Sequence, residues 1–258
     1  MARNLKLVLA YDGSLFSGWQ VQPDRPTVQG ALADAVERIT GEKILPQGSG
    51  RTDAGVHALA QVASFSTSSS IPSANLVKAL NSLLPESIRV TSVEDMPADF
   101  HARHTAQAKS YEYRLYRGDI CPPFLARYVT HHPYPLDEEA LSEAAGRVIG
   151  EHDFTSFAAV DPEKTDPDRG LPVEVGGRGN VRTIFSSEWK RSSEEFVYRV
   201  RGNGFLHHMV RNLVGTFLLV GKGTLKPSDL DDILAAKERS AAGATAPASG
   251  LYLVSVEY

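Results

Sequence analysis

One loop of the sequence holds an acidic side chain between glycines, and its residue types suit covalent chemistry. Positions 50–57 read Gly-Arg-Thr-Asp-Ala-Gly-Val-His, with Asp53 near the centre. A carboxylate that attacks a substrate must stay ionised when the substrate excludes water, and the guanidinium of Arg51 would favour the charged form. The alternative is a tight turn in which Asp53 bonds its own backbone and the glycines supply positive φ angles. The loop taken alone favours the turn, and both interpretations stay open at this point.

A second candidate is Arg211, which lies in a strongly apolar segment. Apolar pairs recur every four residues at 205/206, 209/210, 213/214 and 217/218, which predicts a helix over residues 205–220. An unpaired guanidinium in the middle of such a helix would be costly, so Arg211 needs a carboxylate partner, and we predict Asp53. His207 and His208 fall between the apolar pairs and are expected to be solvated surface residues.

Residues 101–117 combine basic and aromatic side chains, with four Lys or Arg residues against one acid. Such residues interleaved on a strand suit stacking on bases and pairing with phosphates. Strand alternation puts Tyr111 and Tyr113 on one face with Lys109. Arg114 lies on the other face. An ordinary edge strand with half-buried tyrosines explains the pattern equally well.

Composition and incomplete motifs exclude several classes of protein. The chain has 258 residues, of which 27 are Lys or Arg and 31 are Asp or Glu. Its net charge of −4 excludes a wholly basic nucleic-acid binder but not a local basic surface. The single cysteine, Cys121, supplies neither an internal disulfide nor a thiolate metal site. Neither a dinucleotide fingerprint, nor a P-loop, nor a His-Glu-x-x-His zinc motif is complete, so we expect a protein without metal or cofactor.

The hydrophobic periodicities predict strands and helices in no regular alternation. The predicted strands cover residues 5–11, 61–65, 88–93, 109–116, 181–189, 195–200 and 251–258. The predicted helices cover residues 27–39, 75–84, 137–149, 205–220 and 228–237. Thr27 is predicted to cap the first helix, whose apolar stripe includes Leu32 and Val36. This mixture predicts an α+β fold with a mainly antiparallel sheet. Residues 161–180, rich in proline and glycine, are predicted to form one long insertion.

The hydropathy of the chain predicts a cytoplasmic protein without a membrane anchor. The apolar run at residues 7–10 is shorter than a secretory signal requires. No window approaches the ~20 apolar residues of a membrane-spanning helix.

A series of short motifs runs along nearly the whole chain. The series begins with Tyr-Asp-Gly at 11–13, Phe-Ser-Gly-Trp-Gln at 16–20 and Thr-Val-Gln-Gly at 27–30. It continues with the Asp53 loop at 50–57, Asp-Phe-His-Ala-Arg at 99–103 and Lys-Ser-Tyr-Glu-Tyr-Arg at 109–114. It ends with motifs at 152–157, 205–212 and 250–254. In this order the motifs resemble those of the TruA-type tRNA pseudouridine synthases. Because the series covers nearly the whole chain, the resemblance favours the catalytic interpretation of Asp53.

The resemblance implies an enzyme that isomerises uridine to pseudouridine in the anticodon stem-loop of tRNA, at uridines 38–40. It implies a homodimer that needs neither metal nor cofactor. The implied fold is the pseudouridine synthase fold, a central, mostly antiparallel sheet flanked by helices and built from two related halves. We expect these halves at residues 1–105, with the catalytic loop, and 106–258, with the tyrosine strand and the arginine helix, and a cleft between them.

The resemblance also assigns roles to single residues. Asp53 matches the catalytic aspartate, and three routes stay open for it: attack on C1′, addition to C6 of uracil, or removal of the C2′ proton. Tyr111 matches the active-site tyrosine, whose ring would stack on the extruded base and whose phenol would help to remove the C5 proton. Arg51 and Arg211 would keep Asp53 ionised. The expected phosphate contacts are Arg103, Lys109, Arg114 and Arg117.

Two other functions compete with this interpretation. A non-catalytic RNA-binding module would share the basic and aromatic strand but has no use for an Asp53–Arg211 pair. A hydrolase of N-glycosidic bonds would also use carboxylates, usually in a cluster or with a metal, and the Asp53 loop offers only one.

Overall fold

The computed structural model describes residues 2–159 and 179–258. The predicted insertion at 161–180 therefore lies almost entirely outside the described residues. The chain divides into two compact units: the first comprises residues 1–110 and 248–258, and the second comprises residues 111–247. The C-terminal strand lies in the first unit. The halves expected from the resemblance, residues 1–105 and 106–258, stay a prediction.

The described elements are ten strands and five α-helices. The strands are Arg3–Tyr11 (β1), Gln47–Gly48 (β2), His57–Thr67 (β3), Ile88–Met96 (β4), Ala108–Tyr116 (β5), Thr130–His131 (β6), Gly150–Asp153 (β7), Val181–Ser192 (β8), Glu195–Gly202 (β9) and Leu251–Glu257 (β10). The helices are Val28–Thr40 (α1), Ser73–Leu83 (α2), Glu138–Arg147 (α3), Met209–Gly221 (α4) and Asp229–Ala236 (α5). Among these helices, none combines the length and the apolar character that crossing a membrane requires.

The first unit contains a sheet with strand order β4-β1-β3-β10, and β2 pairs with β3. Strand β1 is antiparallel to both β3 and β4, whereas β10 runs parallel to β3. Leu5, Leu7 and Leu9 are fully buried on one face of β1. This alternation follows from the period of two along a strand.

Helix α1 begins after the predicted cap and ends one residue beyond the predicted end at residue 39. The Thr27 hydroxyl accepts a hydrogen bond from the Gly30 N–H at 3.3 Å and so caps the helix. Gly41 ends it with a φ of 75°, a conformation that glycine adopts without strain. The apolar stripe that buries Leu32 and Val36 is also as predicted.

The second unit contains a sheet with strand order β5-β9-β8-β7, and β6 runs parallel to β5. The pairs β7–β8 and β8–β9 are antiparallel. Helix α4 packs the Phe217 ring against Tyr198, with ring centroids 5.2 Å apart. The predicted α+β class with a mainly antiparallel sheet is confirmed.

The start of helix α4 differs from the prediction. The helix begins at Met209 rather than at residue 205, because His208 adopts a left-handed conformation with a φ of 58°. Arg211 therefore lies in the first turn of the helix, and its predicted mid-helix position is wrong. Burial of Met209, Leu213 and Phe217 confirms the core stripe of the helix.

Candidate active site

The loop that carries Asp53 connects β2 to β3 in the first unit. Asp53 is partly buried, and its carbonyl accepts a hydrogen bond from the Val56 N–H at 3.1 Å. Gly55 has a φ of 80°, which few other residues adopt. The loop is therefore the tight glycine turn expected from its sequence, and it presents the carboxyl group just before a long buried strand.

Two glycines allow the chain segment after β1 to lie directly against this loop. A Cβ atom at Gly18 would lie 2.6 Å from the Thr52 carbonyl oxygen and 3.2 Å from the Asp53 carbonyl carbon. A Cβ at Gly13 would overlap the Val56 carbonyl group. The Trp19 N–H also donates to the Thr52 carbonyl at 3.0 Å. Backbone contacts before and after Asp53 therefore fix the path of the loop.

A buried network of polar side chains holds the same loop from the sheet side. The Tyr11 hydroxyl and the Thr52 hydroxyl are 2.8 Å apart. The amide of Gln61 donates to the Gly50 carbonyl at 3.0 Å and accepts from the Ser49 hydroxyl at 2.7 Å. We call Tyr11, Ser49, Thr52 and Gln61 the buried brace.

The brace is rigid because its members are removed from water. Ser49 and Gln61 are completely buried. Burial raises the pKa of Tyr11 to about 12, so its phenol stays protonated at neutral pH. A buried polar group that loses its partner is costly, so the brace has one favourable arrangement.

His57 follows the loop and has a structural role. Its Nδ1 accepts a hydrogen bond from the Gly13 N–H at 3.1 Å, so this nitrogen carries no proton. An Asp12 carboxylate oxygen lies 3.3 Å from the same nitrogen. The imidazole stacks on the Tyr252 ring with centroids 4.8 Å apart. This packing anchors the start of β3.

The other site candidates of the first unit are Arg51, Arg103 and Lys109. Arg51 and Arg103 are exposed. The turn that holds Arg103 is closed by His101, whose Nδ1 accepts from the Arg103 N–H at 3.0 Å. Lys109 is half-buried, and its ammonium group donates to the Ser49 carbonyl at 2.5 Å. The structure thus brings Lys109 to the Asp53 loop, a contact that the sequence does not reveal.

In the second unit, Tyr111 lies on β5 with only 8% of its surface exposed. Its ring meets the Phe205 ring edge to face, with centroids 4.9 Å apart and planes at 76°. Such contacts fix the plane of an aromatic ring. Tyr113, two residues further along the strand, is also buried, as the predicted alternation requires.

The two remaining arginines of this stretch have protein partners. Arg114 pairs with Glu112 at 3.2 Å, and Glu112 also binds Arg199 at 2.9 Å. The Arg117 guanidinium donates to the carbonyl groups of His132 and Tyr134. Their roles as phosphate contacts stay predictions.

Arg211 interacts with the chain segment that precedes β10. Its Nε donates to the Ala246 carbonyl at 2.8 Å, and the Ala246 N–H donates to the Arg211 carbonyl at 3.1 Å. These reciprocal bonds fix the base of the side chain. The pairing of Arg211 with Asp53 stays a prediction.

Sequence reasoning missed the buried brace, although one signal was present. Gln61 stands in a strand of mostly apolar residues, where a polar side chain must find a partner. The motif residues Tyr11, Gly13 and Gly18 had no assigned role from the sequence. The structure gives each of them a contact with the Asp53 loop.

Comparison with known proteins identifies the family. A family model described as tRNA pseudouridine synthase matches residues 7–105 and 144–258. The chain is 52% identical over 256 residues to tRNA pseudouridine synthase A of Solibacter usitatus, covering 99% of this chain and 100% of the relative. It is 45% identical to the protein of that name from Brevibacillus brevis and 41% identical to that from Caldicellulosiruptor bescii, with the same coverage. The chain therefore belongs to the tRNA pseudouridine synthase family.

Proposed function

We propose that this protein isomerises uridine to pseudouridine in the anticodon stem-loop of tRNA, with Asp53 as the catalytic carboxylate. Full-length relatives carry the name tRNA pseudouridine synthase A. The observation that carries the proposal is the placement of Asp53 on a loop held by glycine contacts on one side and the buried brace on the other. A catalytic group held in one position supplies much of an enzyme's rate advantage.

The reaction breaks the N1–C1′ bond of uridine, turns the detached uracil and joins its C5 to C1′. The C5 proton leaves and N1 gains a proton, so the overall change is an isomerisation. Asp53 acts by attack on C1′, by addition to C6, or by removal of the C2′ proton, and each route needs an ionised carboxylate. A substrate deuterated at C2′ separates the last route from the other two, since only removal of the C2′ proton gives a primary isotope effect on turnover.

We propose that Tyr111 contacts the uracil base of the target uridine. The target uridine must leave the helical stack, which costs a few kcal/mol that contacts in the site must recover. An aromatic ring whose plane is fixed by Phe205 suits stacking on the extruded base. We propose that the phenol helps to remove the C5 proton. If Tyr111→Phe turns over at the wild-type rate, the phenol has no such role.

Arginine side chains supply the positive charge that the proposal needs. Arg51 and Arg211 keep Asp53 ionised, and Arg103, Arg114 and Arg117 contact phosphates. Each phosphate contact steepens the decrease of RNA affinity with salt. Replacing one of the last three by methionine therefore lowers the salt slope of tRNA binding by about one unit if that residue binds a phosphate.

We also infer that the protein acts as a homodimer in the cytoplasm, where tRNA is available. A dimer would place two local basic surfaces on one particle and so offset the net charge of −4. Sedimentation equilibrium of the purified protein tests this inference. A monomer at assay concentrations contradicts it.

The test of the proposed function is to map pseudouridines in a bare tRNA transcript before and after incubation with the purified protein. We expect new pseudouridines at positions 38–40 of the anticodon arm and none elsewhere. Release of free uracil would instead indicate an N-glycosidic bond hydrolase. Tight binding of the transcript without any product would indicate a non-catalytic RNA-binding module.

A further inference from the structure

We propose that Lys109 is a positioning residue for Asp53, acting through the backbone of Ser49, and not a phosphate contact. This inference rests on the proposed function. The Lys109 ammonium group donates to the Ser49 carbonyl at 2.5 Å, and Ser49 is completely buried. Hydrogen bonds from a charged donor are shorter and about twice as strong as neutral ones.

The Ser49 peptide is held at each of its polar groups. Its N–H donates to the Val62 carbonyl at 2.7 Å, and its hydroxyl donates to Gln61. Lys109 binds the remaining group, the carbonyl oxygen. Ser49 begins the turn that presents Asp53 four residues later, so a shift of this peptide moves the carboxyl group.

Gly50 provides a second, independent observation. A Cβ atom at this position would lie 2.8 Å from the Lys109 Nζ. Gly50 has no positive φ, so its backbone does not itself require glycine. The absence of a side chain at position 50 instead leaves room for the ammonium group against the loop.

A phosphate contact by Lys109 could use only the ammonium donors that the Ser49 carbonyl does not accept. Lysines that bind phosphates without sequence preference do so as mobile, hydrated point charges. The Lys109 side chain is half-buried, and its head lies against a buried carbonyl. The half-buried position and the charge-assisted bond to Ser49 therefore favour the positioning role over a phosphate contact.

Two variants separate the positioning role from the phosphate role. Lys109→Met removes the ammonium group, and Gly50→Ala keeps its charge but displaces it from the Ser49 carbonyl. We expect kcat for pseudouridine formation to decrease about 10-fold to 100-fold in both, with KM for tRNA within about twofold of wild type. The exposed Lys78→Met removes the same charge from helix α2 and is expected to leave kcat and KM unchanged. Arg103→Met, in contrast, is expected to raise KM.

Restoring the amine tests whether the ammonium group itself is needed. The chain has one cysteine, so Lys109→Cys in a Cys121→Ser background offers a single thiol. Alkylation with bromoethylamine rebuilds a lysine analogue at that position. We expect it to recover most of the lost kcat.

Hydrogen exchange gives a measurement that does not depend on activity. We expect the backbone amides of residues 50–53 to exchange at least tenfold faster in Lys109→Met than in wild type. Unchanged exchange, or a raised KM with wild-type kcat in Lys109→Met, would overturn the inference. If Lys109→Met does not fold, the exchange rates of residues 50–53 and the values of kcat and KM are measured in Gly50→Ala instead. Unchanged exchange, or a raised KM with wild-type kcat, then overturns the inference. A wild-type protein that forms no pseudouridine refutes the proposed function instead, and the exchange experiment still tests Lys109.

Discussion

Replacing Gly18 by alanine tests whether contact with the preceding segment sets the position of Asp53. Gly18 has a φ of 97°, and an added Cβ would lie 2.6 Å from the Thr52 carbonyl oxygen. An ordinary contact begins at 3.4 Å, so this peptide would have to move by about 0.8 Å. A misplacement of about 1 Å can cost ~10²-fold in rate. We therefore expect kcat to decrease by about two orders of magnitude in Gly18→Ala.

The same substitution should also lower the free energy of unfolding. A positive φ costs an alanine about 1–2 kcal/mol. Overpacking against backbone atoms adds about 1–3 kcal/mol. The expected loss is therefore about 2–5 kcal/mol, measured by urea unfolding.

Gly41 provides a matched control, because its φ is 75° and a Cβ there would meet no atom within 4 Å. Gly41→Ala should lower the free energy of unfolding only by the cost of the positive φ, about 1–2 kcal/mol, and should keep wild-type kcat. The assay is the steady-state rate of tritium release from saturating tRNA labelled at C5 of uridine, with circular dichroism to show that each variant is folded. If Gly18→Ala has the kcat of Gly41→Ala, contact with Gly18 does not position Asp53.

Three further predictions concern stability. Tyr11→Phe should lower the free energy of unfolding, measured in urea, by about 1–3 kcal/mol. The double variant Tyr11→Phe/Thr52→Val should lose less than the sum of the two single variants, because the two hydroxyls bind each other. Additive losses would contradict this contact of the buried brace. The pKa of Tyr11 is about 12 when folded and about 10 when unfolded, so the folded state holds its proton longer and wild-type stability should decrease between pH 10 and 12. Urea titrations between pH 10 and 12 should show a smaller decrease in stability for Tyr11→Phe than for the wild type. Equal decreases in the two proteins would refute the raised pKa of Tyr11. Arg239→Met should lower the free energy of unfolding by about 1.5–3 kcal/mol, since Arg239 donates to the side-chain Oδ1 of the buried Asn212 at 3.0 Å. The exposed Arg38→Met is the control; similar losses in the two variants would show that the bond contributes little.

Local patterns in the sequence were sufficient for most elements of the fold. The alternation of apolar residues in β1 and the Thr27 cap of α1 depend on neighbours within a few residues, so both could be predicted. The start of α4 could not be predicted in this way. The apolar pattern extends back to Phe205 and Leu206, whereas His208 adopts a left-handed conformation and the helix begins after it. Periodicity carries no information about a single left-handed residue.

The candidate site shows the same limit. The Asp53 loop was found because its glycines and its charge are adjacent in sequence. The buried brace joins residues 41 positions apart, as between Tyr11 and Thr52, and depends on strand pairing. Lys109 lies 60 positions from Ser49, and its basic and aromatic neighbours gave no sign of a backbone contact.

The most direct test of the account is the rate of C5 tritium release by Asp53→Asn in a single turnover with anticodon stem-loop RNA. Asparagine keeps the size of the side chain and removes its charge. We predict no release above background over many wild-type half-times, together with RNA affinity within about threefold of wild type. Release at a rate close to that of the wild type would contradict the assignment of Asp53 as the catalytic carboxylate.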